Sequence, residues 1–132
     1  MSNILNPAHY MKVGDTLPVL RRELLDVDSE PVDLSQATQV LFYMWFAFGP
    51  KTQPVNQERA DEIPDTFVKI NGKPAEVEAD NVTARYIWED EDVDEPGQFL
   101  GKFTAFFPGG AKLSFPDRGW IPIYLAEPTG EL

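Results

Sequence analysis

The sequence predicts an all-β domain, an antiparallel sandwich or small barrel, and two observations carry that reading. From residue 81 to 125, four strand-length runs rich in aromatic and β-branched residues alternate with turn chemistry: V-T-A-R-Y-I-W, an acidic stretch ending E-P-G, Q-F-L-G-K-F-T-A-F-F, a P-G-G turn, A-K-L-S-F-P-D-R-G and W-I-P-I-Y-L. Residues 38–48, T-Q-V-L-F-Y-M-W-F-A-F, form the most apolar run of the chain. Its aromatic density and lack of strong helix formers favour a strand over a buried helix.

Residues 1–13 carry aperiodic chemistry and read as an N-terminal arm, held by the domain or by a neighbour, with His9 and Tyr10 near its end. Gly14-Asp15 turns the chain into a first strand over residues 17–25. Pro18 places that strand at a sheet margin, because proline donates nothing to a ladder. A turn with alternating acids follows at 26–31, and residues 32–34 pair briefly before Ser35.

In the 38–48 strand, Val40, Phe42, Met44 and Phe46 share one face, and Leu41, Tyr43, Trp45 and Ala47 the other. A half-exposed strand alternates apolar with polar residues. This one does not, so both of its faces need cover. Residues 49–66 read as a long polar loop with a short helical turn near 57–61. Residues 67–70 and 73–78 flank Asn71-Gly72 and read as a hairpin with a type I′ turn. In the next strand Val82, Ala84, Tyr86 and Trp88 share one face. Residues 99–107 and 111–115 form a hairpin around Pro108-Gly109-Gly110, and 120–125 closes the sheet. The reading is thus an arm (1–13), one β domain (14–126) and a short tail (127–132).

A chain of 132 residues is long enough for one core, burying roughly 68% of the surface its unfolded form exposes. It has no cysteine, which excludes disulfides, thiolate metal sites and a cysteine nucleophile, and fits assembly in a reducing cytosol. One His leaves no imidazole cluster for zinc. No run reaches the roughly 18 apolar residues of a membrane-spanning helix, and the N-terminus lacks the basic start and apolar core of a secretion signal. Twenty-two acids against eleven Lys and Arg give a net charge of −11, which repels phosphate backbones and argues against nucleic acid as a partner.

No catalytic or cofactor motif accompanies the strands. The acidic stretch from Glu89 to Glu95 lacks the spaced D-x-D-x-D-G loop of a calcium site and reads as a solvated turn. Carboxylate pairs are inevitable among so many acids, so they carry no argument for glycoside hydrolysis. His9 is far from any nucleophile motif, Ser114 lacks the G-x-S-x-G elbow, and Gly109-Gly110 has neither the lysine nor the helix of a phosphate cradle. The expectation is no enzyme, no metal and no cofactor. Nine Phe, four Tyr and three Trp are more rings than one interior accepts if opposite strand faces are filled. Tyr10, Tyr43, Trp45, Phe48 and Trp120 are therefore the candidate partner-binding residues.

Gly14-Asp15-Thr16-Leu17-Pro18, the turn at 28–34, the strand at 40–44, Ala84-Arg85-Tyr86-Ile87-Trp88, Asp92 with Glu95-Pro96-Gly97-Gln98-Phe99, and Leu113-Ser114-Phe115-Pro116 occur in an order that resembles a phage family. It is the N-terminal domain family of upper baseplate proteins from tailed phages of Gram-positive hosts, a small immunoglobulin-like β domain. The resemblance spans residues 14–125, and its motifs are turns and strands, so it speaks to fold more than to activity. It implies an immunoglobulin-like antiparallel β-sandwich in a virion protein that docks to tail or baseplate neighbours and to copies of itself, without catalysis, nucleic acid or membrane. Members often continue into further domains, whereas this chain stops soon after Leu125; a small stand-alone tail, tail-tip or head protein fits equally. The rivals are a capsid decoration protein and a carbohydrate-binding module, the latter requiring exposed coplanar Trp or Tyr rings.

Overall fold

The computed structural model describes residues 8–47, 68–116 and 119–127. They form eight strands and no α-helix: β1 (His9–Lys12), β2 (Leu20–Glu23), β3 (Gln39–Phe46), β4 (Val68–Val77), β5 (Thr83–Tyr86), β6 (Gly97–Phe106), β7 (Lys112–Phe115) and β8 (Ile121–Ala126). Hydrogen-bonded neighbours run in the order β1-β8-β6-β3-β4-β5-β2, a mixed and nearly closed sheet. Strand β6 is long enough for two partners on one edge: Gly97 to Gly101 pair with β8, and Phe103 to Phe106 with β7. The all-β expectation holds. An antiparallel layout fails at one pair, because β1 runs parallel to β8, with His9 opposite Ile123 and Lys12 opposite Ala126. The described end of the expected arm is therefore a strand held by the domain.

Strand β3 lies between β4 and β6, so both of its backbone edges are paired. Val40, Phe42 and Met44 are buried while Leu41, Tyr43 and Trp45 are half-buried on the opposite face, matching the period-2 reading. Phe42 is in the middle of the core: its ring meets Tyr86 at 4.7 Å, Phe103 at 5.0 Å and Trp88 edge-on at 5.7 Å. Leu20, Leu24, Ile70, Ala84, Phe99, Ile121 and Ile123 fill the space around these rings. Strand β2 ends the strand order at a sheet margin, but it spans only Leu20–Glu23, so Pro18 precedes the strand instead of interrupting it.

Asn71-Gly72 corrects one expectation. It makes no hairpin, because β4 continues straight through it, pairing first with β3 and then, at Glu76 and Val77, with β5. Gly72, at φ 82°, is the extra residue of a bulge: Phe42 faces Lys73 and Tyr43 faces Asn71. A hairpin would pair the two halves with each other and strip β3 of a whole ladder. The apolar flank of β3 wins, and the left-handed glycine is absorbed as a bulge beneath the Tyr43 ring, where a Cβ would sit 3.2 Å from that ring.

The turn at 26–31 is organised by Asp26, whose Oδ1 accepts from the backbone N–H of Asp28 and of Glu30. The expected loop at 49–66 and its helical turn lie outside the described residues.

Candidate functional surface

Among the described residues, a dense titratable cluster grows from the acidic stretch after β5. Residues Asp90–Val93 form a 3-10 turn, and Val93 points inward, fully buried. That turn draws Asp92 into the interior, where it is 1% exposed. Its Oδ2 accepts from the Tyr86 hydroxyl at 2.6 Å and from the Glu89 N–H at 2.9 Å. Lys73, from β4, donates to its Oδ1 at 3.0 Å and to Glu89 and Glu91 at 2.7 and 2.6 Å. Burial opposes the charge on Lys73, but these three carboxylates outweigh it and hold the ammonium above the usual lysine range. Burial, reinforced by Asp92, pushes the Tyr86 phenol well above its usual range. Glu89, Glu91 and Asp92 bring carboxylate oxygens within 4.8 Å of one another, the geometry of a cation site. The lysine ammonium already bonds all three, which makes the cluster an internal ion-pair network. Lys69 does the same for Asp94 and Glu95, at 2.5 and 3.1 Å.

Asp92 and Lys73 are the residues that sequence reasoning missed. The available signal was Glu89 three residues before Asp92, the spacing of a reciprocal cap, with apolar Val93 directly behind it. An open groove of 520 Å³ adjoins this network, lined by Lys73, Pro74, Ala75, Glu76, Arg85, Tyr86, Ile87 and Glu89. Its cations are committed to carboxylates, Arg85 to Glu76 and Lys73 as above.

Three of the candidate partner-binding residues come together on the outer face of β3 and β6. Trp45 meets the edge of Trp120 at 4.7 Å, and Tyr43 lies nearly parallel to Trp45 at 5.9 Å. Leu100 and Ala47 complete this second apolar cluster, separate from the main core. Trp120 is 3% exposed, with the Lys102 ammonium 4.7 Å from its ring centre and no acceptor for its indole N–H among the described residues. Part of the cover that β3 needs on its outer face thus comes from this chain's own Trp120. Tyr10 stands apart on β1, 69% exposed and stacked on Tyr124 at 5.2 Å. Phe48 lies outside the described residues.

His9 occupies the gap between the first two strands. It is buried, and its Nε2 lies 3.1 Å from the Pro18 carbonyl, which also accepts from Trp88 Nε1 at 3.2 Å. Since a carbonyl only accepts, Nε2 carries the proton. Burial, partly offset by the Pro18 bond and reinforced by Arg22, lowers the His9 pKa from its ordinary value.

Comparison of the chain with protein families, with curated proteins and with solved structures finds no match to any of them.

Proposed function

We propose that this chain is a non-enzymatic structural protein of a tailed-phage virion, a tail or baseplate component that docks to neighbouring subunits and to copies of itself. One observation carries the reading. Among the described residues, the ionisable groups around Lys73, Tyr86 and Asp92 are spent on pairing with one another, while the half-buried rings of Tyr43 and Trp45 and the exposed ring of Tyr10 are the ones offered to a partner. Residues that carry the family resemblance are put to architectural use, above all Asp92, Tyr86 and the turn at 28–34. The fold supports the finer reading of an immunoglobulin-like sandwich. Strands β1-β8-β6-β3-β4 would form one layer and β2-β5 the other, with β4 crossing between them at Ala75 and Glu76.

The experiment is mass spectrometry of purified particles of the phage that encodes the chain, followed by gold-labelled antibody imaging. The chain is expected in multiple copies per particle with label at the tail end. Label on the head would favour the capsid decoration reading, and absence from particles would overturn the proposal.

A further inference from the structure

The two ends of the strand order meet at one carbonyl. Strand β1 stands at one end and β2 at the other, and no ladder joins them among the described residues. They are bridged instead through Pro18, just before β2, whose carbonyl accepts from His9 Nε2 on β1 at 3.1 Å and from Trp88 Nε1, beyond β5, at 3.2 Å. The His9 and Trp88 rings are both buried, with their centres 5.8 Å apart. Side chains thus complete the closure that backbone pairing leaves open.

Strand β1 has little else to hold it. It is four residues long, pairs only with β8, and sends His9 and Met11 inward while Tyr10 and Lys12 face out. At its far end the Val13 N–H bonds to the Ala126 carbonyl and the Gly14 N–H to the Val93 carbonyl, each at 2.9 Å. Gly14 itself turns the chain at φ 90°, with open space where a side chain would stand. One end of the strand is pinned beside a glycine joint, and the other depends on an imidazole. Short elements with so few buried contacts open at lower free energy than the domain as a whole.

The surroundings of that imidazole do not welcome a second proton. Strand β8 carries no charged residue, Lys12 lies on the outward face of β1, and Asp15 is exposed on the turn. The segment beyond β5 meets the ring with Trp88, and its Glu89 and Asp92 are taken up by Lys73. On β2, Arg21 and Glu23 are exposed on the face opposite Arg22, and Arg22 is the charge that acts on His9, with the same sign as an imidazolium. A charged ring would be buried with no carboxylate among the described residues to offset it, so it is better accommodated in water.

We propose that His9 is an acid-released latch: on taking up a proton the imidazole leaves the Pro18 carbonyl, and β1 swings off β8 about Gly14 while the other strands stay paired. Release bares the outer backbone edge of β8 and uncovers Ile123 and Leu125, which lie opposite His9 and Met11. An edge of this kind is a template for an added strand. The inference does not depend on the virion assignment.

Amide exchange of the ¹⁵N-labelled full chain, followed by NMR from pH 7.5 to 5 and normalised for intrinsic exchange rates, tests the latch. The amides of β1 should open more readily than those of β3 and β6, with the shallow urea dependence of a local opening. Their opening constant should rise by up to about tenfold per pH unit below the ordinary histidine value of 6.5. That rise should level off where the imidazole resonance titrates, a signal made unambiguous by the single histidine of the chain. His9→Gln, which keeps a donor but takes up no proton, should hold the β1 opening constant level over the same range. Opening of β1 only in step with β3 and β6, a β1 opening constant indifferent to pH, a rise that ignores the imidazole titration, or an acid response retained in His9→Gln would each overturn it.

Discussion

The Tyr86 hydroxyl donates a 2.6 Å hydrogen bond to Oδ2 of Asp92, and both side chains are buried. This bond ties the end of β5 to the acidic turn that follows it. Lys73 extends the tie to β4 through the other carboxylate oxygen. Removing the phenol oxygen leaves a buried carboxylate short of one donor, so Tyr86→Phe should cost about 1–3 kcal/mol. Asp92→Ala should cost more, about 3–5 kcal/mol, because it leaves the buried Tyr86 hydroxyl and the Glu89 N–H without their acceptor and takes one of three carboxylates from Lys73. Urea denaturation midpoints at unchanged slope measure both. A Tyr86→Phe variant as stable as the parent would show that the bond does not hold the turn.

His9 makes stability depend on pH near neutrality. Its folded pKa lies below the ordinary 6.5, so the fold favours the neutral ring. The unfolded chain then binds more protons between the two values, and stability falls as pH drops below about 6.5 toward the folded pKa. His9→Gln keeps a donor for the Pro18 carbonyl without titrating. Thermal melts from pH 7.5 to 5 should show the parent losing more Tm than the variant, and parallel curves would assign the acid sensitivity elsewhere.

Gly101 sits where β6 crosses the core. A Cβ there would lie 2.8 Å from Ile123 Cδ1 and 3.0 Å from the Phe42 ring. Gly101→Ala should therefore cost about 1–3 kcal/mol by overpacking. Ile123→Val removes the nearest atom, so the double variant should be more stable than the sum of the single losses predicts. Strict additivity in denaturation experiments would contradict the contact.

Trp120 is buried, and its indole N–H has no acceptor among the described residues. Phenylalanine keeps a ring against Trp45 and removes the unpaired donor, so Trp120→Phe should stay within about 1 kcal/mol of the parent. Trp120→Ala empties the cluster and should cost about 3–5 kcal/mol. Equal losses in the two variants, measured by chemical denaturation, would mean that the N–H is satisfied after all.

Much of the fold was legible because burial leaves a period in the sequence. The alternation Val40, Phe42, Met44 against Leu41, Tyr43, Trp45 marks both faces of β3, and Ala84, Tyr86 and Trp88 mark the inner face of β5 and of the segment just beyond it. Pro18 marked a margin and Pro108-Gly109-Gly110 a hairpin, each through a backbone restriction that acts locally. Asn71-Gly72 misled for the same reason. Its left-handed preference is real, but a bulge satisfies it as well as a hairpin does, and only the competing partner β3 decides between them.

The candidate surface was less legible. Aromatic excess pointed to Tyr43, Trp45 and Trp120 without saying that Trp120 would itself cover part of the outer face. Asp92 looked like its acidic neighbours, because one buried carboxylate in a solvated run has no compositional mark.

By itself, then, the order of residues determined the strand class, the inward set of β3 and β5, and the punctuation at proline and glycine, since these follow from propensity and spacing along the chain. Tertiary structure alone decided that β1 lies parallel to β8, that β4 passes through Gly72, and that Lys73 reaches Asp92. Each of those choices sets segments distant in sequence against rival partners, and the outcome depends on burial and charge pairing that no local window contains.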